Sequence, residues 1–401
     1  MLAENIAATW VLDLCDRLAA CTDEAGGITR LFLSPATHRA HEVLSGAMRE
    51  AGMDVTIDAI GNVLGRFPGV DRGAPRVLIG SHLDTVRNAG RYDGILGVAL
   101  GVAVARELGY GLDVIAFSEE EGVRFGVPFL GSRAVVGDLP QTMLGLCDAE
   151  GISVHEAISN FGLDPSKLTE CVLDPELYSC YLEPHIEQGP VLDDAGQSLA
   201  VVAGIVAQRK LAIRISGQAG HAGTVPLPRR RDPVAGAAEM ICAIEAFARD
   251  HAPYLATVGR ISAHPGVTNT IAQSADFTID CRHPETAHCM ALTNGLLHAL
   301  EVIAVARKLG FSIISDAAQP ALACHPGVQE SLGSAVGGSP VVLTSGAGHD
   351  AMVVASRIPV GMLFLRCKDG VSHHPDEHVR QEDVAAAIAA MSAFVLNRQG
   401  K

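Results

Sequence analysis

The sequence predicts an α/β protein: a mainly parallel sheet with helices on both faces, carrying an inserted α+β unit of the ferredoxin-like kind. Three observations predict it. From Arg76 to Phe117 a short apolar run, a helix-length apolar segment and a second short run follow one another, the β-α-β order that goes with parallel strands. Near Gln208 the character changes, and Lys210 to Ser216 alternates apolar and polar residues as a half-buried strand does. From there to Ile314 the order is β-α-β-β-α-β, the split unit that forms a four-stranded layer with helices on one face. Because 401 residues exceed the usual single core, we expect 209–319 to be inserted between 1–208 and 320–401.

Ala3 to Ala20 has helical spacing, with Ile6, Trp10, Leu14 and Leu18 on one face. Ser34 to Ala51 is a second helix, stopped by Ala51-Gly52. Val55 to Phe67 reads as two short strands around Ile60-Gly61-Asn62. Pro75 to Ile79 is a buried strand, Ile95 to Ala105 a buried helix rich in Gly, Ala and Val, and Asp113 to Phe117 the next strand. Residues 138–178 are less regular, with helical patches at Thr142–Ala149 and Val154–Phe161. A strand at Ser179–Leu182 follows. In the insertion, Asp232-Pro233 opens a helix to Asp250, Leu255–Ala263 and Ala275–Cys281 read as strands, Ala287–Leu309 as a helix and Phe311–Ile314 as a closing strand.

Charge excludes some functions. Lys and Arg number 30 against 45 Asp and Glu, a net −15, which argues against a nucleic-acid partner and against anionic membranes. Ten scattered cysteines without a Cys-x-x-Cys pair read as buried or free thiols. Glu4, Asp13 and Asp16 in the N-terminal helix are wrong for a signal peptide, and the apolar run Ile95–Ala105 is too short to span a bilayer. These features indicate a cytoplasmic protein.

The chemistry gathers where strands end. His82, Asp84 and Asp93 sit between the first parallel strand and its helix, the end of an open α/β sheet where ligands collect. Asp84, two residues on in an extended segment, can reach the ring of His82, as carboxylates do behind metal-bound imidazoles. A polar loop with a surface histidine accounts for these residues equally well. Glu119, Glu120 and Glu121 end the next strand; an isolated acidic triplet reads more readily as a solvated loop, but beside His82 one carboxylate could bind metal and its neighbour serve as base. His185, after a third strand, reads equally as structural or as a ligand, and His373-His374-Pro375 follows the strand Gly361–Leu365. Together these nitrogen and oxygen donors suit Zn²⁺ or Mn²⁺, and five ligands suit two ions bridged by an aspartate better than one. Gly346-Ala347-Gly348-His349-Asp350-Ala351 fits a dinucleotide fingerprint, but the next strand is too near for a crossover helix, so the loop around Gly348 is read as lining a substrate pocket. Gln208, His221 in its glycine-rich loop, Asn269 and Arg282 are the candidates of the insertion; Arg282 alone reads more readily as a surface ion pair.

Taken together, Gly-Ser-His82-Leu-Asp84-Thr, Tyr-Asp93-Gly, Glu120-Glu121-Gly-Val-Arg-Phe, His185-Ile-Glu-Gln-Gly-Pro, Gly-Gln-Ala-Gly-His221-Ala-Gly, Ser-Gly-Ala-Gly-His349-Asp-Ala and Ser-His373-His-Pro run nearly end to end. They resemble the di-metal amidohydrolase and peptidase family that includes allantoate amidohydrolases and N-carbamoyl-L-amino acid hydrolases. That resemblance implies two divalent metals per subunit, Zn²⁺ or Mn²⁺, held by His82, Asp93 (bridging), Glu121, His185 and His373. It implies Glu120 as general base, Asp84 as the partner behind His82, and His221 as an oxyanion-stabilising group lent across a homodimer formed by the lid-like insertion. Gln208, Asn269, Arg282 and Gly348 would hold a small ureido acid, with Arg282 on its carboxylate. Val114 to Phe125 and Leu363 to His373 look closest to allantoate amidohydrolases; Gly220 and Thr224-Val225-Pro226-Leu227 depart from the family's pattern near the dimer-borne loop.

Overall fold

The computed structural model describes residues 2–68 and 75–399 and divides them into two compact units, one of residues up to Ala203 and from Cys324 on, the other Gly204–Ala323. The second unit is longer at both ends than the expected 209–319. Its strand Ala207–Ser216 starts earlier than the alternation suggested and pairs along its whole length with Ser274–His283 and Gly310–Gln319, which draws Gln208 into this unit. The expected final strand Phe311–Ile314 is thereby extended to ten residues.

In the first unit four strands lie side by side in parallel, in the order Leu112–Phe117, Arg76–His82, Tyr178–Ile186, Val360–Leu365. Antiparallel strands flank them: Asp54–Ile57 with Val63–Arg66 on one side, Leu199–Ile205 on the other. The four parallel strands are buried almost throughout, so their sequences are mainly apolar rather than alternating. Helix Ile95–Leu108 is apolar on every side for the same reason, packed against the sheet on one face and against helices Leu2–Ala19 and Gln381–Gln399 on the other. Its glycines permit the close approach: a Cβ on Gly97 would sit 2.0 Å from the Pro184 carbonyl oxygen. Each fully buried Leu, Ile or Val here contributes roughly 1.5–3 kcal/mol.

In helix Leu2–Ala19 the buried stripe is Ala8, Val11, Leu14, Cys15 and Leu18, whereas Ile6, expected on that face, is 66% exposed. Helix Pro35–Glu50 begins on Ser34, whose hydroxyl accepts the Thr37 N–H, and stops at Ala51-Gly52 with Gly52 at φ +86°. The irregular region contains short helices, Gln141–Leu144 and Val154–Asn160, followed by the 3-10 helices Pro165–Cys171 and Pro175–Leu177.

The second unit has a four-strand antiparallel order of Ile261–His264, Ser274–His283, Ala207–Ser216, Gly310–Gln319, with helices Pro233–Asp250 and Thr286–Ala306 packed on it. The single strand expected at Leu255–Ala263 is two, Leu255–Thr257 and Ile261–His264, both paired to Ser274–His283. Thr286–Ala306 is long and apolar enough to cross a bilayer by length and composition. One face of it packs into the unit's core through Leu296, Leu297, Leu300 and Ala304.

Candidate metal centre

The carboxyl ends of the four parallel strands carry the site. His82 is the last residue of its strand, His185 the penultimate of the next, Glu120 and Glu121 follow Phe117 closely, and His373 comes eight residues after Leu365. Asp93 stands just ahead of helix Ile95–Leu108. Crossover connections bring strand ends as far apart in the chain as His82 and Leu365 to one crevice, which is why such distant residues meet.

Asp93 is the centre of the arrangement and is 2% exposed. Its Oδ1 lies 3.2 Å from His185 Nε2 and 3.9 Å from His82 Nε2, and the two imidazole nitrogens are 3.5 Å apart. Its Oδ2 faces the other way, 3.0 Å from His373 Nε2, which is itself 3.4 Å from Glu121 Oε1. One carboxylate thus divides the donors into two sets. His82, Asp93 and His185 form one triad and Asp93, Glu121 and His373 another, with His82, Glu120 and Glu121 a third that links them, each with ligand atoms within 4.8 Å of one another. Donors around a single ion with bonds of about 2.1 Å sit up to roughly 4 Å apart, so modest closure would satisfy both. Asp93 Oδ2 is buried and accepts no hydrogen bond of good geometry, as expected of an atom meant for a cation.

The histidines are oriented from behind. His82 Nδ1 lies 3.0 Å from the main-chain carbonyl of Asp84, and the Asp84 carboxylate is 3.8 Å away. The sequence pointed to the carboxylate; the chain bends after His82 and presents the carbonyl instead. The carboxylate goes to the acidic triplet, Oδ1 accepting the Glu120 N–H and Oδ2 the Glu121 N–H, both at 3.0 Å. His185 Nδ1 meets the Ile186 carbonyl at 2.9 Å, leaving Nε2 toward Asp93. Gly94, at φ +67°, lets the His82 ring approach: a Cβ there would fall 2.4 Å from the ring.

The triplet splits by direction. Glu119, itself at φ +54°, turns back to accept the Arg124 N–H, while Glu120 and Glu121 face His82. Likewise His373, at φ +54°, faces Asp93, and His374 turns to Asp376. Two side chains in left-handed backbone at the rim are strain that the surrounding packing maintains.

Burial and crowding set the protonation. Burial raises Glu120 well above the usual carboxylate range, and Glu121, Asp350, Asp84 and Glu183 raise it further. Burial and Asp93 push Glu121 up to about 7. Burial pulls His82 down, but Asp84, Asp93 and Glu121 outweigh it and lift it to about 9. Burial holds His185 at about 4, its imidazole neutral. Burial opposes ionisation of Asp93, yet His373, His185 and His82 hold it well below the usual range. So many acids facing so few bases is an electrostatic deficit that divalent cations would fill.

Sequence reasoning passed over several participants. Gln188 Nε2 donates to Asp93 Oδ1 and to Ser372 Oγ, both at 3.1 Å. Glu183, two residues before His185 on the same strand face, accepts the Ala351 N–H at 2.8 Å. His349 packs edge-on to the His185 ring, centroids 4.5 Å apart, with its Nε2 2.8 Å from Ser345 Oγ. Gly348 precedes it in a loop after strand Val341–Ser345; only the four-residue helix Ala351–Val354 separates that loop from the next strand, so no crossover helix under a dinucleotide exists there.

The other candidates belong to the second unit. Gln208 and Arg282 are opposite each other across the ladder, and both donate to Asp280: Gln208 Nε2 at 2.9 Å, Arg282 through Nε at 3.0 Å and Nη2 at 2.9 Å. His221 is exposed and pairs with Thr270, and the neighbouring Asn269 carbonyl accepts the Ala222 N–H, so His221 and Asn269 share one two-stranded ribbon.

Such a fold and donor set define a metal-site α/β protein with an inserted α+β unit. The model of peptidase family M20/M25/M40 matches residues 78–397, and the chain belongs to that family. It is 38% identical to an allantoate deiminase of Arabidopsis thaliana, over 94% of this chain and 80% of the relative. It is also 38% identical to an N-carbamoyl-L-amino acid amidohydrolase of Geobacillus stearothermophilus, over 92% of each. Among solved structures, a hydantoinase/carbamoylase family amidase of Burkholderia multivorans superposes with a TM-score of 0.88 at 30% identity, covering 98% of both chains.

Proposed function

We propose that this protein hydrolyses the carbamoyl C–N bond of a small ureido acid, with allantoate as the first substrate. The observation that carries the reading is Asp93 facing one donor pair with each carboxylate oxygen. His82 and His185 would hold one cation, Glu121 and His373 the other, and Asp93 both. Zn²⁺ or Mn²⁺ there would supply Lewis acidity, lowering the pKa of a water toward about 7 and polarising a carbonyl.

The side chains of the protein do the rest. Glu120, next to the cage and held by Asp84, takes a proton from the attacking water. Hydroxide adds to the ureido carbonyl, the C–N bond breaks, and Glu120 returns the proton to the departing nitrogen. The carbamate remainder gives CO₂ and a second amine, so allantoate would yield ammonia, CO₂ and a ureido acid. Arg282, with Gln208 and Asn269, is suited to hold the substrate carboxylate, and His221 to stabilise the developing oxyanion.

A homodimer through the second unit fits this reading. Strand Gly310–Gln319 ends its sheet, pairing among the described residues only with Ala207–Ser216, and exposes Ile313 and Ile314. Val302 and Val305 of the adjacent helix are also exposed. Mixing His221→Ala and Glu120→Gln chains should restore activity if subunits share a site, because one of the two sites then carries neither change; no recovery would reject sharing. Ten unpaired cysteines, eight of them buried, agree with a reducing compartment such as the cytoplasm.

An N-carbamoyl-L-amino acid is the second substrate reading, supported by the equal 38% identity to relatives of both names. Ammonia release from allantoate and from several N-carbamoyl-L-amino acids, after loading with Zn²⁺ or Mn²⁺, tests both. No release from any ureido acid would overturn the proposal.

A further inference from the structure

We propose that Glu377 is a positioning residue that holds Asp93 across the two donor sets, through a closed ring of hydrogen bonds. Glu377 is 3% exposed and Oε1 accepts two main-chain N–H groups, of Tyr92 at 2.7 Å and of Asp93 at 3.1 Å. Its Oε2 accepts the Ser372 hydroxyl at 3.4 Å. Ser372 Oγ in turn accepts from Gln188 Nε2, and the same amide donates to Asp93 Oδ1. The ring therefore grips Asp93 twice, by its peptide N–H and by its carboxylate, and passes through the residue next to His373.

The chain is shaped to let this happen. A Cβ on Gly90 would lie 2.4 Å from Glu377 Cβ and Cδ, so only glycine leaves room for the side chain. The segment reaching Glu377 is itself turned by the His374 carbonyl, which accepts the Glu377 N–H at 3.1 Å. A buried carboxylate beside an already acidic cage is electrostatically unfavourable, and its compensation is the pair of peptide N–H bonds it receives. Groups that orient ligands from behind typically matter ten- to a hundredfold in metal affinity.

This inference rests on the metal reading of the site, and the experiment separates the two. Zn²⁺ per chain is measured after dialysis, and affinity by competition with a chromogenic chelator, for the unaltered protein, Glu377→Ala and Glu377→Gln. We expect two Zn²⁺ in the unaltered protein, retention within about threefold affinity in Glu377→Gln, which keeps the acceptor oxygen, and at least tenfold weaker binding of one ion in Glu377→Ala. If the unaltered protein binds no Zn²⁺, the metal reading falls and takes this inference with it. If it binds two and Glu377→Ala binds both as tightly, or if Glu377→Gln loses as much as Glu377→Ala, the positioning role alone is overturned. Should Glu377→Ala not fold, Ser372→Ala, which opens the same ring from the exposed side, is read by the same criterion.

Discussion

Asp84 and Glu120, 36 residues apart, are joined by a hydrogen bond from the Glu120 N–H to Asp84 Oδ1 at 3.0 Å, while the other Asp84 oxygen takes the N–H of Glu121. One carboxylate thus places the proposed base and a proposed ligand together, with its own main-chain carbonyl behind His82. Asp84→Asn turns an amide NH₂ against one of those N–H groups. Metal affinity should fall about 10- to 100-fold, read by chelator competition.

Glu120→Gln removes the proton acceptor and little else, since the main-chain bond to Asp84 is kept. Turnover of the best ureido acid should fall about 10²- to 10⁴-fold with both metals still bound. Full turnover by that variant would refute the assignment of the base.

Without metal, stability should fall as pH rises from about 6.5 to about 8. Burial pushes Glu121, Glu183 and Glu377 up to about 7, with Asp93 adding to it at Glu121 and Glu377, and neighbouring acids outweigh burial to lift His82 to about 9. Unfolded glutamates have already lost their protons in this window, so the folded chain binds more protons and each rise in pH favours unfolding. Divalent metal replaces those protons, and the gain in Tm on adding Zn²⁺ should grow over the same interval. Thermal melts with and without a chelator at three pH values check both slopes.

Gly97→Ala should destabilise by about 1–3 kcal/mol through overpacking, because the added methyl meets the Pro184 carbonyl and the Ser81 side chain. Denaturant unfolding of the metal-free protein measures it, and a change below a few tenths of a kcal/mol would show that the helix can move away from the sheet.

Asp280 fixes the side chains of Gln208 and Arg282. Asp280→Ala removes the carboxylate that orients the Gln208 amide and the Arg282 fork, and KM should rise about tenfold while kcat changes less, as expected when ground-state and transition-state binding fall together. Steady-state kinetics on the best substrate separates the two.

Much of this was legible in the order of residues. Apolar runs set between turn residues mark the strands of the first unit because those strands are buried on both faces, and Lys210–Ser216 alternates because its sheet is covered on one. His82, Glu120, His185 and His373 stand out because each follows such a run. Gln188 and Glu377 did not stand out, since their meaning lies in partners 95 and 284 residues away, and a lone Gln or Glu in a turn carries no local mark.

The sequence by itself determined the two kinds of sheet, the strand ends at which chemistry collects, and the family, since periodicity and short motifs are local properties. Only the tertiary structure decided which oxygen of Asp93 faces which histidine, that Asp84 serves peptide N–H groups with its carboxylate, and that the long strand of the second unit begins at Ala207. Those are matters of direction and distance between segments far apart in the chain, which are set by how crossovers and packing bring strand ends together.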